Sequence, residues 1–133
     1  MENLKYILLT TLFLFSFSIA NSAETEGLTI TSLPLHIRIT EMKESVPPFI
    51  VGEDLIFTYT PTRKIVRHVG IAFENENFSV IHNLYRNENG IFFYIYKYPK
   101  EKTINYKFIE DGIWITDKNN KNSISDKNFI SLS

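Results

Sequence analysis

The chain has 133 residues, of which 14 are basic and 15 acidic, and a formal net charge of −1. This balance excludes the concentrated basic surface that nucleic acid or an anionic membrane surface requires. There is no cysteine, which excludes disulfides and a lipid anchor attached through cysteine. A domain of this kind must be held by packing, to which its 11 Phe and 7 Tyr contribute large buried areas.

The first predicted element is a secretory signal peptide. Lys5 precedes the nearly unbroken apolar run YILLTTLFLFSFSIA, Tyr6–Ala20, and small residues follow it. The run is too short to span a bilayer comfortably, although an uncleaved anchor is the alternative. Cleavage fits after Ser22 or after Ala23. We therefore expect residues 1–23 to be removed and the protein to be periplasmic or secreted, with no membrane span after cleavage.

The rest of the chain alternates short apolar runs with turn residues, which indicates an all-β sandwich or barrel. We expect residues 24–46 to form an N-terminal extension, with an edge strand as one role, and residues 47–133 to form the β-sandwich domain. Pro47 and Pro48 separate the two because proline removes ladder donors. The predicted strands are Leu28–Ile30, Leu35–Thr40, Asp54–Thr60, Ile65–Phe73, Ser79–Leu84, Ile91–Tyr98, Thr103–Ile109, Ile113–Thr116 and Phe129–Leu132.

A hairpin is predicted where Asp111-Gly112 lies between two apolar runs, because this dipeptide favours a type I′ turn. A two-residue loop would place Ile109 opposite Trp114, the chain's single tryptophan. Phe108 would then share a core face with Ile115, and Trp114 would lie on the other face, diagonal to Lys107. A three-residue loop with a bulge would exchange the faces.

The stretch INYKFIEDGIWITD, within VGIAFENENF…WITDKNN, resembles the glycogen-binding domain of AMP-activated protein kinase β subunits. It is also similar to the N-terminal domains of isoamylases and branching enzymes, and the resemblance covers roughly Phe57 to Leu132. It implies an immunoglobulin-like (early-set) β-sandwich. In sugar-binding members a lysine and a tryptophan of this hairpin contact the glucan, and they match Lys107 and Trp114. The family's second tryptophan is replaced by Phe78, and an asparagine that contributes in some members lies near Asn128.

Other chemistry has little basis in the sequence. His36, His68 and His82 are scattered without the converging spacing of a metal site, and no nucleophile or phosphate-loop motif is present. We therefore predict no cofactor and no catalysis. Glu110 and Asp111 are adjacent at a turn, unlike catalytic carboxylates that face each other across a substrate.

Two binding functions follow as expectations. The first is an exported module that binds an α-glucan or another oligosaccharide. The alternative is a docking or structural module that binds an envelope protein. Ile91–Tyr98 is apolar on both faces: the resemblance turns Phe92 inward, and Phe93 is then either buried in a central strand or part of a contact patch.

Overall fold

The computed structural model describes residues 32–124 and 127–131 of the chain. The chain divides into two compact units, residues 1–32 and residues 33–133, and all described residues except Ser32 belong to the second. The predicted signal peptide and the predicted strand Leu28–Ile30 lie outside the described residues, as does Leu132.

The second unit is an all-β sandwich with one short helix, which confirms the predicted fold class. Its elements in chain order are α1 (Leu33–Glu41), β1 (Phe49–Val51), β2 (Asp54–Tyr59), β3 (Val69–Phe73), the 3₁₀ helix η1 (Glu74–Glu76), β4 (His82–Asn83), β5 (Tyr85–Arg86), β6 (Phe92–Lys97), β7 (Thr103–Glu110), β8 (Ile113–Ile115), β9 (Ser123–Ile124) and β10 (Lys127–Ser131).

Two antiparallel sheets make up the sandwich. Sheet A has the order β1-β2-β6-β5, and sheet B has the order β4-β3-β7-β10-β9, with β8 also paired to β7. The chain crosses from sheet B to sheet A between β4 and β5, which are two residues each. These short crossing strands leave part of the sandwich edge without a full-length edge strand.

The core lies between the two sheets and is rich in aromatic rings. Phe57 of sheet A packs against Tyr106 of sheet B with ring centroids 4.6 Å apart, and against Phe73 at 5.5 Å. All three side chains are fully buried. Edge-to-face pairs of this kind add to the free energy gained by burying the rings, so packing holds this cysteine-free domain.

The predicted strand Leu35–Thr40 is wrong, because these residues lie in α1. Ser32 and Pro34 stand at the start of the helix, where serine and proline are favoured. The error arises because apolar residues that alternate with a period of two also include pairs four residues apart, and such pairs lie on one face of a helix. Leu35 and Ile39 form that pair and are the two buried residues of the helix.

Helix α1 contacts sheet A, since Arg38 Cζ lies 3.9 Å from the ring centroid of Phe49 in β1. The Asn87 side chain, in the β5–β6 turn, donates hydrogen bonds to the carbonyls of Ile39 and Met42. Phe93, on the outer face of β6, is buried. Of the two alternatives for Phe93, the structure shows burial, so Phe93 is not part of an exposed contact patch.

Within residues 32–124 and 127–131, the remaining predicted strands exist, with shifted ends. Residues 62–68 form a loop, so β3 begins only at Val69, and β4 contains only two residues of the predicted Ser79–Leu84. Sequence reasoning missed β1, β5 and β9, which are only two or three residues long. Such short strands depend on pairing with a neighbour rather than on a local pattern.

Candidate functional site

The β7–β8 hairpin has the predicted two-residue turn. Asp111 and Gly112 both have positive φ, +47° and +83°, as a type I′ turn requires. Ile109 therefore pairs with Trp114, and Phe108 pairs with Ile115. This register confirms the predicted assignment of faces.

Trp114 lies on the outer face of sheet B, away from the core. Its side chain is 45% exposed, whereas Ile109 opposite it is only 5% exposed. Phe108, the neighbour of Ile109 in the chain, is fully buried between the sheets. Trp114 is therefore a surface residue with a buried aliphatic side chain, that of Ile109, beside it on the same face.

Phe78 is brought against Trp114 although the two are far apart in sequence. Their ring centroids are 6.2 Å apart and their planes make an angle of 85°. Phe78 is half-buried. The two rings thus form an aromatic corner, with two walls nearly at right angles, on the outer face of sheet B.

The backbone at Phe78 adopts an unusual conformation. Asn77 and Phe78 have φ of +55° and +54°, a region that bulky residues rarely occupy. The Phe78 N–H donates to the Phe73 carbonyl at 2.9 Å, and the Asn77 N–H donates to Glu74 at 2.8 Å. These bonds hold the turn after η1. Backbone conformations that cost free energy in this way tend to cluster at functional sites.

Lys107 lies on the same face as Trp114. It pairs with Ala72 of β3 and precedes Ile109 by two residues, which makes it the diagonal neighbour of Trp114. Diagonal neighbours on one sheet face are about 7–8 Å apart, within reach of a lysine side chain. The structure therefore groups Trp114, Phe78 and Lys107 on one surface, which we call the aromatic platform.

Asn128 is placed differently. It lies in β10 and pairs with Tyr106, whose side chain is in the core. Its neighbour Phe129 pairs with Asn105. The backbone register therefore does not group Asn128 with the aromatic platform.

Two aliphatic residues beside the platform were missed by sequence reasoning. Val80 and Ile81 follow Phe78 and are both exposed. A Cβ added to Gly70 would lie 2.4 Å from Cγ2 of Ile81, so the bare glycine makes room for this side chain. A glycine inside a predicted strand is the signal that could have located this close approach.

The turn of the hairpin is anchored to the loop before β3. Glu110 is only 1% exposed. It accepts hydrogen bonds from the Thr62 N–H at 2.7 Å, the Thr62 hydroxyl at 2.8 Å, Arg63 Nε at 3.0 Å and the Tyr59 hydroxyl at 3.2 Å. Asp111 accepts from the backbone N–H of His68 at 2.8 Å and of Arg67 at 3.1 Å. Arg63, in the loop before β3, is thus an ion-pair partner of Glu110.

The electrostatics of Glu110 follow from these contacts. Burial alone would raise the pKa of its carboxyl group, but the donors Thr62, Arg63 and Tyr59 outweigh burial and hold the pKa below its usual 4.5. Burial, together with the Glu110 carboxylate, raises the pKa of Tyr59 to about 12. Glu110 is therefore ionised and fully engaged at neutral pH, as a structural anchor.

A second buried network lies after β8. The Tyr106 hydroxyl donates to Asp117 Oδ2 at 2.8 Å and accepts from the Asn120 side chain at 2.9 Å. Burial raises the pKa of Asp117, and burial also raises that of Tyr106. Asp117 thus ties the loop after β8 to the core.

No protein-family model matches the chain, and no curated protein matches it. Among the described residues, no three His, Asp or Glu side chains converge in a way that could hold a metal ion. The same part of the chain contains no helix with the length and apolar character needed to cross a membrane. The geometry of the platform is therefore the basis for the function proposed below.

Proposed function

We propose that this chain is a non-catalytic glycan-binding module that holds a sugar on its aromatic platform. The observation that carries the proposal is the half-exposed corner formed by Trp114 and Phe78. A sugar ring has an apolar face of C–H groups, which packs on an aromatic ring, and hydroxyls around its edge, which need hydrogen-bond partners. Resemblance to glycogen-binding domains favours an α-glucan.

Each platform residue has a separate role in this proposal. The Trp114 indole carries the apolar face of the sugar, and Phe78 limits its position from the side. Lys107 donates hydrogen bonds to hydroxyls, because an ammonium group has three donors. The site offers one half-exposed indole and one half-buried phenyl ring, so we expect a dissociation constant near millimolar, about −4 kcal/mol. The proposed setting is exported, periplasmic or secreted.

Titration with maltoheptaose, followed by tryptophan fluorescence, tests the proposal. The signal is specific because Trp114 is the single tryptophan. Lys107→Met should weaken binding about tenfold, the equivalent of about 1.4 kcal/mol for a lost charge-assisted hydrogen bond. Lys43→Met is the matched control, since Lys43 is exposed and lies in the segment between α1 and β1, outside both sheets. An unchanged spectrum at millimolar sugar, with the protein folded, would rule the function out.

Protein docking is a second candidate, favoured by the exposed side chains of Val80 and Ile81 beside Phe78. Apolar side chains grouped with aromatic rings are typical of protein interfaces. Phe78→Trp separates the two functions: the larger indole should strengthen sugar binding and bring no gain in docking. Crosslinking in native envelope material tests docking directly, and recovery of the chain as a monomer would count against it.

A further inference from the structure

A second concave site lies at the sandwich edge, between β6 and η1. Its cavity has a volume of about 330 Å³, and the buried ring of Phe73 lies at its base. Ligand pockets usually measure about 300–1,000 Å³. This cavity is therefore large enough for a small ligand such as one sugar ring, and we call it the edge pocket.

The edge pocket exists because the crossing strands are short. β5 pairs only with Phe92 and Phe93 of β6. Among the described residues, no strand pairs with Tyr94–Lys97 on that edge. β4 likewise pairs only with Gly70 and Ile71 of β3. The two sheets are thus left uncovered at this end, and inward-facing side chains of β6 can be reached from solvent.

Three tyrosines form aromatic walls around the edge pocket. Tyr94 and Tyr96 follow Phe92 on the inward face of β6 and are half-buried. Burial raises the pKa of both, so both hydroxyls remain protonated at neutral pH. Tyr98 lies just after the strand, is 64% exposed and has a φ of +51°. Bulky residues rarely adopt this conformation, and residues that do tend to cluster at functional sites.

Polar groups of both kinds complete the lining. His82 Nε2 lies 2.6 Å from Glu76 Oε2, and the Tyr96 hydroxyl donates to Glu101 Oε2 at 3.2 Å. Lys97 and Lys100 also line the pocket. The negative charges of Glu76 and Glu101 are matched in number by the positive charges of Lys97 and Lys100. Such a lining offers both acceptors and donors without favouring a charged ligand of either sign.

We propose that the edge pocket is a second binding site, which takes one neutral sugar ring independently of the aromatic platform. The tyrosine rings pack on the apolar face of the sugar, and the carboxylates and lysines bond its hydroxyls. The segment Glu74–His82 contributes to both sites, since Glu76 and His82 line the pocket while Phe78 and Ile81 belong to the platform side.

The test is a titration of the full chain with D-glucose, followed by nuclear magnetic resonance of the tyrosine rings and of the tryptophan indole. Inorganic phosphate and choline serve as anionic and cationic comparison ligands. Tyr98→Asn removes the ring and keeps a residue that tolerates positive φ, so the variant should fold as the parent does. Trp114→Ala removes the main ring of the platform, and Lys43→Met is the control.

Shifts of the Tyr94, Tyr96 and Tyr98 resonances with glucose are expected. Tyr98→Asn should weaken binding at the pocket about tenfold, and Trp114→Ala should leave it within about twofold, because additivity holds for separate sites. Shifts confined to the indole would overturn the pocket proposal and leave the platform standing. Equal binding by Tyr98→Asn, or tighter binding of phosphate or choline than of glucose, would overturn it too.

Discussion

Glu110→Gln should destabilise the domain by removing the charge that anchors the β7–β8 hairpin. Glutamine keeps one oxygen for the Tyr59 hydroxyl and the Thr62 N–H, which both donate to Oε1. Its NH₂ group replaces Oε2, which accepts from Arg63 Nε and the Thr62 hydroxyl. The hydroxyl can rotate and accept instead, but a guanidinium group cannot. One charge-assisted hydrogen bond is therefore lost outright.

The expected cost is about 1.5–2 kcal/mol of unfolding free energy. A hydrogen bond to a charged group contributes about 1.5–3 kcal/mol. We take the lower part of this range because the Arg63 side chain is 46% exposed and solvent screens the pair. Most of this loss should vanish in an Arg63→Met background, where the donor is already absent.

The pH dependence gives a second, independent check. The pKa of Glu110 in the folded state lies below its ordinary 4.5. The contribution of its charge to stability is thus present above that value and is lost as the pH falls through the folded-state pKa. The difference between wild type and Glu110→Gln should therefore be largest at neutral pH and shrink in acid.

Urea unfolding followed by Trp114 fluorescence measures these differences. Glu53→Gln in the exposed β1–β2 turn is the matched control and should change stability by less than about 0.5 kcal/mol. A Glu110→Gln loss equal to that of the control, or one that does not vary with pH, would refute the anchoring role.

Two further predictions concern other parts of sheet B. Asp117 should make stability depend on pH in the direction opposite to Glu110, and Asp117→Asn should remove this dependence. Burial raises the folded-state pKa of Asp117 above 3.8. The contribution of Asp117 to stability is therefore present below the unfolded pKa and is lost as the pH rises through the folded pKa. Urea unfolding across this range should show wild type losing stability relative to the variant as pH rises, and parallel curves would contradict it. Gly70→Ala should cost about 1–3 kcal/mol, because its Cβ would meet Ile81 Cγ2 at 2.4 Å. Thermal unfolding should show much of this cost removed when Ile81→Ala is added, and an unchanged cost would show that the backbone, not Ile81, sets it.

The sequence by itself determined the hairpin and the face on which Trp114 lies. Asp111-Gly112 favours one turn type, the turn fixes the register, and a strand alternates its side chains with a period of two. Each step depends on neighbours in the chain, and the observed pairing of Ile109 with Trp114 confirms it. The same local logic predicted most of the longer strands.

Only the tertiary structure decided that residues Leu33–Glu41 form a helix and which side chains contact Trp114. LHIRIT satisfies a strand and a helix pattern equally, and packing against sheet A selects the helix. Phe78 reaches Trp114 because the turn after η1 brings it over the outer face of sheet B, and Glu110 is buried because a distant loop supplies its donors. Contacts between segments far apart in sequence have no local periodicity, so no pattern within one segment can specify them.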